Sequence, residues 1–204
     1  VGKYVSLRDS YISLVEAIKH AGGANLTAVD LKWIDSETVT EANVANKLKD
    51  VDGIIIPGGF GERGVEGMIV ACKYARTHAL PYLGICLGMQ VTVIEYARDV
   101  LGFKDATSGE FAHTEHTVID IMPDKKGKKL GGTMRLGSYP CAVKDGTKIK
   151  EAYGSNLIEE RHRHRYEFNN EYREALENGG LVISGTSPDG HIVETVEVAD
   201  HPFF

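Results

Sequence analysis

Hydrophobic and polar positions follow two different periods along the first half of the chain. Over residues 9–21 apolar side chains recur every three or four positions, which predicts a helix that ends at Gly22 and Gly23. Residues 51–56 form a short and nearly continuous apolar run, which is typical of a strand covered on both faces. Glycine-rich turns separate such segments, so the pattern indicates alternating strands and helices.

The same analysis along the whole chain predicts five helices and eight strands. The helices are predicted over residues 9–21, 41–48, 65–78, 87–100 and 170–178. The strands are predicted over residues 26–34, 51–56, 82–85, 118–121, 133–136, 141–144, 181–184 and 192–198. Alternation in the first half favours parallel strands joined by right-handed crossovers, whereas the strand-rich second half favours an antiparallel extension. We therefore expect an α/β three-layer sandwich with a central, mostly parallel sheet and an antiparallel extension.

Composition and charge exclude several classes of protein. The 204 residues are 42% hydrophobic and 25% charged, which is typical of one globular domain able to bury a core. No segment approaches the ~20 apolar residues that a membrane helix needs. The 23 basic and 29 acidic residues give a net charge of −6, which disfavours non-specific binding to nucleic acid. Three cysteines without metal-ligand spacing favour reduced thiols and a cytoplasmic location.

Both ends of the sequence have the pattern of interior segments. Residues 1–5 resemble the end of a strand, and the sequence stops on two apolar residues, Phe203 and Phe204. We therefore expect residues 1–204 to form one domain that is truncated at both ends.

The most specific chemical signal surrounds Cys86, which lies between a predicted strand and a predicted helix. Gly84 and Gly88 flank it, as in a nucleophile elbow, a tight strand-to-helix turn that leaves no room for a Cβ on its neighbours. The turn places the sulfur near the positive N-terminal end of the helix, which favours the thiolate. It also directs the Leu87 N–H toward the oxyanion that forms on an attacked carbonyl. We interpret Cys86 as a nucleophile.

A glycine-rich segment, residues 57–64, follows the strand predicted over 51–56. It contains the spacing G-x-G-x-x-G, but it is not the first strand–helix turn and it lacks the Gly-Lys-Ser/Thr of a P-loop, so a nucleotide site is not favoured. Parallel strands that end side by side would place this loop next to Cys86. We expect the Gly59 N–H to be the second donor of an oxyanion hole.

These two motifs, in this order, resemble those of the class I (triad) glutamine amidotransferases, whose nucleophile signature is close to residues 84–90. Four further segments resemble the glutaminase domains of the CTP synthase family in particular. They are residues 57–67, 130–137, 159–170 and 187–190. The resemblance covers nearly the whole chain.

The resemblance implies an activity and a set of site residues. The family hydrolyses L-glutamine through a cysteine thioester and passes the ammonia to a synthetase domain, which uses ATP to convert UTP to CTP. By motif, Cys86 is the nucleophile, and Gly59 and Leu87 donate to the oxyanion. The residues implied to bind glutamine are Gln90, Glu110, Arg165, Gly88 and Met89. A carboxylate at Glu110 suits the α-ammonium group, and Arg165 suits a carboxylate or contributes only main-chain contacts.

The resemblance also implies partners. We expect no cofactor on this domain, with ATP and Mg²⁺ confined to a synthetase domain of the same polypeptide that is absent from these residues. GTP is expected as an activator, without an assigned residue, and the full-length enzyme is expected to be a homo-oligomer. Neither nucleic acid nor a membrane is expected as a partner.

The triad histidine and glutamate are the main departure from the family pattern. The family places them in a Phe-His-Pro-Glu segment downstream of residues 201–204, so we expect neither in this sequence. His201 precedes a proline, but Phe203 stands where the glutamate would be, so we interpret His201 as a histidine of a surface turn. Without its base a cysteine is a weaker nucleophile. A non-catalytic glutamine-binding or docking module, or another triad amidohydrolase of the γ-glutamyl hydrolase type, therefore remain alternatives.

The remaining candidate clusters have simpler interpretations. On a strand, residues 161–165 would direct three arginines to one face and two histidines to the other, and the run is too short for an RNA-binding patch. Its histidines lack a third and a fourth metal ligand, so no metal site is expected. We interpret five other groups as packing or exposed-loop residues: Cys72, Cys141, His113, the pair Glu115 and His116, and residues 125–129.

Overall fold

The structure is a computed structural model that describes residues 1–121 and 134–202. Its helices are α1 (Ile12–Ala24), α2 (Val44–Lys47), α3 (Val65–Thr77), α4 (Leu87–Asp99), α5 (Lys148–Tyr153) and α6 (Arg173–Asn178). Its strands are β1 (Ile54–Ile56), β2 (Tyr82–Gly84), β3 (Thr107–Ser108), β4 (Thr117–Ile121), β5 (Arg135–Val143), β6 (Leu157–His164), β7 (Tyr166–Phe168), β8 (Leu181–Thr186) and β9 (Val193–Val198). Within these ranges no helix has both the length and the apolar character needed to span a bilayer.

Parallel pairing dominates the first half of the chain and antiparallel pairing the second. β1 and β2 form a parallel pair, and β4 lies between the parallel β3 and the antiparallel β7. The third sheet is antiparallel, in the order β6-β5-β8-β9. The expected α/β class, with its antiparallel extension, is confirmed.

Helices α3 and α4 pack against each other beside the parallel pair, and α4 is buried along most of its length. Even Glu95 of α4 is fully buried, and Arg76 of α3 binds both of its carboxylate oxygens at 2.7–3.1 Å. A charge buried in this way requires its partner, because an unpaired carboxylate in the interior is strongly unfavourable. The start of α4, where Cys86 lies, is therefore part of a rigid element.

The strand predicted over residues 26–34 is wrong, and residues 1–5 form no continuous strand. The two segments meet at a single parallel bridge, in which Gly2 donates to the Ile34 carbonyl and accepts from the Ser36 N–H, both at 3.0 Å. Leu26 is 96% exposed, and within residues 1–121 and 134–202 no strand pairs with the alternating residues that follow it. The parallel part of the sheet is consequently smaller than expected.

The end of the first helix was also predicted in the wrong place. Gly22 and Gly23 lie inside α1, which continues to Ala24. The chain then folds back, so that the Thr27 N–H donates to the Gly22 carbonyl at 2.8 Å. A Cβ on Gly22 would lie 2.7 Å from the Thr27 oxygen, whereas one on Gly23 would meet nothing within 4 Å. Close approach of the returning chain, rather than helix termination, explains Gly22.

In the second half, two predicted strands are one strand, and helix α5 and strands β3, β6 and β7 were missed. The strands predicted over 133–136 and 141–144 belong to the continuous β5, although residue 133 lies outside the described residues. Helix α5 and strand β6 were not predicted, because α5 is short and β6 carries charged or histidine side chains at most of its positions. Pairing with β5 along eight residues, not apolar periodicity, defines β6.

The two glycines of α1 provide a matched test of this packing. We expect Gly22→Ala to lower the free energy of unfolding by about 1–3 kcal/mol, because the added methyl group collides with the Thr27 carbonyl. We expect Gly23→Ala to raise it by about 0.5–1 kcal/mol, because alanine reduces the freedom of the unfolded chain in an open helical position. Urea titration followed by circular dichroism measures both, and equal effects of the two substitutions would contradict the packing.

Candidate active site

Cys86 lies at a tight turn between β2 and α4, as predicted. It is the N-cap of α4, with φ of 56° and ψ of −105°, a strained conformation for a residue with a side chain. A Cβ on Gly84 would lie 2.6 Å from the Gly88 carbonyl carbon, and a Cβ on Gly88 would overlap the Ile56 carbonyl oxygen. The two glycines are therefore required by close backbone approach.

The glycine-rich loop after β1 lies beside Cys86, as the parallel pairing of β1 and β2 predicts. A Cβ on Gly58 would lie 3.5 Å from the Cys86 Cβ and 3.9 Å from its Sγ. In the part of the chain that the structure describes, the Gly59 N–H has no hydrogen-bond partner. The Leu87 N–H interacts with the Cys86 sulfur. Two backbone donors are thus present near the sulfur, and their role in an oxyanion hole stays a prediction.

A buried lysine holds this loop in place. Lys3 is 2% exposed, and its Nζ donates to the carbonyl oxygens of Phe60, at 3.0 Å, and Gly61. Removal from water lowers the pKa of Lys3, while the charge of Glu110 acts in the opposite direction. The Phe60 N–H donates to the Tyr4 hydroxyl at 3.1 Å. Sequence analysis missed Lys3, because only the folded chain brings residues 57 positions apart together.

Five of the predicted site residues meet at one small cavity of about 20 Å³. Its lining residues are Gly59, Phe60, Cys86, Gln90, Glu110, His164, Arg165 and Tyr166. Met89 instead lines an adjoining cavity of about 500 Å³, which Cys86 and Gln90 also line. Gly88 is buried in the turn against Ile56 and lines neither cavity. Five predicted residues thus line the small cavity and Met89 lines the adjoining one, whereas Leu87 and Gly88 line neither, and the roles of all eight stay predictions.

Two of the implied glutamine-binding side chains already have protein partners. The Gln90 Nε2 donates to the Tyr166 carbonyl at 3.0 Å. The Glu110 Oε1 accepts from the Gly61 N–H at 2.7 Å, which joins this carboxylate to the glycine-rich loop. Glu110 retains further lone pairs that are able to accept from a bound ammonium group.

The alternation expected for residues 161–165 holds only within β6. Arg161 and Arg163 are exposed, whereas His162 and His164 point inward. The strand ends at His164, so Arg165 does not share the face of the other arginines; it lies at a bend and lines the small cavity. The His164 Nε2 lies 2.7 Å from the Glu167 Oε1. Sequence analysis did not single out Glu167, which gains a partner only because the chain bends.

The environment of Cys86 does not favour the thiolate, contrary to the expectation from its place at a helix N-terminus. Burial is the largest effect and raises the pKa of the Cys86 thiol, and the charges of Glu110 and Glu167 raise it further. The Leu87 N–H lowers the pKa, but by less. The Leu87 N–H, at the N-terminus of α4, lowers the pKa by less than lost hydration and two nearby carboxylates together raise it.

His201 is buried, so its interpretation as a surface-turn histidine is wrong. Its Nε2 lies 3.0 Å from the carbonyl oxygen of Ala75 in α3, and it lines neither of the cavities that contain Cys86. The position of His201 therefore gives it a packing role on α3.

The remaining clusters have structural explanations. Cys72 and Cys141 are buried, as expected; burial raises the pKa of both thiols, that of Cys141 to about 11. His116 stacks on Phe103 and its Nδ1 lies 2.6 Å from Asp105. Across residues 1–121 and 134–202 no group of three or more histidine, cysteine, aspartate or glutamate side chains is arranged to hold a metal ion. Residues 125–129 lie outside the described residues.

Comparison with known proteins identifies the class to which this site belongs. Residues 6–204 match the family described as Glutamine amidotransferase class-I. The chain therefore belongs to the class I glutamine amidotransferase family.

CTP synthases are among the proteins of that family to which the chain is similar. The fold matches a Trypanosoma brucei CTPS glutaminase domain with bound acivicin, with a TM-score of 0.93 and 38% identity, covering 100% of this chain and 81% of that one. CTP synthases of Listeria innocua and Carboxydothermus hydrogenoformans are 57% and 59% identical over 206 aligned positions. The alignments include all of this chain but only 39% and 38% of those proteins. The resemblance to CTP synthase glutaminase domains is confirmed.

Alkylation by iodoacetamide, which reacts with thiolates, tests the electrostatics of Cys86. Because the pKa of the thiol is raised, we expect the rate at Cys86 to rise with pH and to reach half of its maximum above the ordinary thiol value of about 8.5. Glu167→Gln removes a negative charge near the sulfur, so the midpoint should move to lower pH.

Peptide mass spectrometry resolves alkylation of Cys86 from that of the buried Cys72 and Cys141. The matched control is Glu159→Gln, which removes the same charge from an exposed position of β6 and should leave the midpoint unchanged. A wild-type midpoint at or below that of a free cysteine would contradict the conclusion that burial and nearby carboxylates raise the pKa of Cys86.

Proposed function

We propose that this chain hydrolyses L-glutamine at Cys86 and supplies the ammonia for the conversion of UTP to CTP. The observation that carries the proposal is the assembly of Cys86, Gly59, Gln90, Glu110 and Arg165 around one cavity, with Cys86 at a strained strand-to-helix turn. The proposal is supported by the membership of this chain in the class I glutamine amidotransferase family and by the names of its relatives.

The proposed reaction has two covalent steps. The Cys86 thiolate attacks the side-chain amide carbon of glutamine, and the negative charge that forms on oxygen is stabilised by the Leu87 and Gly59 N–H groups. The carbon–nitrogen bond then breaks, the nitrogen takes up a proton and ammonia leaves, so that a thioester remains. Water attacks the thioester and releases glutamate and the free thiol.

Both steps need a general base and acid. In the family this group is a histidine paired with a glutamate in a Phe-His-Pro-Glu segment, and the raised pKa of Cys86 makes such a base necessary for thiolate formation near neutral pH. No histidine among the described residues hydrogen-bonds to the Cys86 sulfur. We therefore propose that full activity depends on that segment.

The small cavity is by itself too narrow for glutamine. A cavity of about 20 Å³ holds roughly one water molecule. The glycine-rich loop and the bend at Arg165 form two of its walls, and movement of the loop would open it toward the adjoining cavity of about 500 Å³. In the open site Glu110 is placed to bind the α-ammonium group and Arg165 the α-carboxylate.

The rest of the reaction belongs to a partner. We propose that the ammonia passes to a synthetase domain of the same polypeptide, which uses ATP and Mg²⁺ to aminate UTP. This chain spans about two fifths of the length of the CTP synthases that it matches, which supports such a second domain. Activation by GTP, homo-oligomerisation and a cytoplasmic location remain part of the proposal, and no cofactor is proposed for this domain.

A non-catalytic glutamine-binding module is the second candidate. The raised pKa of the Cys86 thiol favours this alternative. A glutamine-analogue chloroketone distinguishes the two, since it alkylates only a cysteine that is both activated and adjacent to bound substrate. It should be applied to the 204-residue chain and to a version extended by the Phe-His-Pro-Glu segment of a CTP synthase. Labelling of Cys86 only in the extended version supports the enzyme, and no labelling in either supports the binding module.

Two substitutions in the extended version test the assigned roles. We expect Cys86→Ser to lower the kcat for glutamine hydrolysis by about 10³-fold or more, because the thioester cannot form. The matched control, Cys141→Ser in β5, should retain activity. Full activity of the Cys86→Ser variant in an ammonia-release assay would overturn the proposal.

We expect Glu110→Gln to raise the KM for glutamine about tenfold or more, with a smaller change in kcat, because it removes the charge that pairs with the α-ammonium group. The amide oxygen of the side chain introduced at position 110 can still accept the hydrogen bond from the Gly61 N–H, so the loop should stay in place. An unchanged KM would show that Glu110 does not bind the α-ammonium group of glutamine.

A further inference from the structure

The chain changes sheets within a single residue beside the proposed active site. His164 is the last residue of β6 and pairs with Arg135 of β5 in the antiparallel sheet. Tyr166 is the first residue of β7 and pairs with Ile121 of β4 in a different sheet. Arg165 alone connects the two strands, so its position depends on how the two sheets are held relative to each other.

One side-chain contact spans this bend. The His164 Nε2 lies 2.7 Å from the Glu167 Oε1, and the two side chains are only 14% and 11% exposed. His164 is fixed in β6 and Glu167 in β7, where it pairs with Asp120 of β4. A hydrogen bond to a carboxylate is stronger than one between neutral groups, and its partial burial limits competition from water. The contact therefore ties the end of one sheet to the start of the other.

The bend carries two groups of the proposed glutamine site. Arg165 lines the small cavity together with Cys86. The Tyr166 carbonyl accepts the hydrogen bond from the Gln90 Nε2 at 3.0 Å, and so sets the orientation of a second implied glutamine-binding residue. A shift of the bend would move both groups relative to the sulfur, which is fixed at the start of α4.

We propose that the His164–Glu167 hydrogen bond holds this bend in the conformation that binds glutamine. His164 and Glu167 are then positioning residues, since they act through Arg165 and Tyr166. The inference rests on the proposed function, because it concerns the affinity of the same site for glutamine.

The surroundings of Glu167 indicate that loss of the His164–Glu167 hydrogen bond would disturb the bend and not the whole domain. The Arg135 Nη1 lies 3.9 Å from the same Glu167 oxygen. Without the imidazole N–H, the carboxylate still has the Arg135 guanidinium nearby and turns toward it, away from the bend. The charge of Glu167 stays compensated, so the domain keeps its fold while the bend loses its restraint.

Protection of Cys86 from iodoacetamide by L-glutamine measures this effect on the chain as it stands. The glutamine concentration that halves the alkylation rate gives the affinity, independently of turnover and of the unprotected rate. We expect His164→Leu, which removes the donor at similar size, to raise this concentration about fivefold or more. His164→Gln places an amide N–H near the position of the imidazole Nε2 and should restore an affinity within about twofold of wild type.

The matched control is Arg161→Gln, at an exposed position on the same strand. Its half-protecting glutamine concentration should equal that of the wild type. Equal half-protecting concentrations for wild type, His164→Leu and His164→Gln would overturn the inference while leaving the proposed function intact. A loss of protection that His164→Gln fails to restore would also overturn it, because the donor would then not be the relevant feature. Failure of glutamine to protect the wild-type chain would instead contradict the proposed function.

Discussion

The close approach of three backbone segments at Gly84, Gly88 and Ile56 is the constraint on which the candidate site depends. The turn between β2 and α4 is so tight that neither glycine has room for a Cβ, and Cys86 between them adopts a positive φ. Such strain persists only where the surrounding structure over-determines it. Here the pairing of β1 with β2 and the burial of α4 provide the surrounding structure that maintains this conformation.

The packing around Cys86 fixes the position of its sulfur without favouring the thiolate. The same packing that fixes the sulfur removes it from water, and it also places the carboxylates of Glu110 and Glu167 close enough to raise its pKa. Glu110 is implied to bind substrate, and Glu167 is proposed to hold the bend, so each carboxylate has a role other than setting the pKa of the thiol. A bound α-ammonium group beside Glu110 would compensate part of this negative charge, which couples substrate binding to thiolate formation.

Local signals predicted the parts of the fold and site that local geometry determines. The turn at Cys86 and the place of the glycine-rich loop followed from glycine spacing and parallel pairing, and α3 and α4 followed from apolar periodicity. Long-range pairing decided the remainder. Residues 26–34 have strand periodicity but pair with no strand in the part of the chain that the structure describes, and β6 lacks that periodicity but pairs fully with β5. Lys3, His164 and Glu167 owe their roles to partners that only the tertiary structure supplies.

The cavity beside Cys86 takes its walls from both halves of the chain, the glycine-rich loop from the first and the bend at Arg165 from the second. A molecule that touches both walls is a cross-link between the halves, and thermodynamic linkage makes the relation reciprocal. The affinity of such a molecule would therefore depend on how far apart the two walls are held, and its binding would in turn favour the separation that suits it.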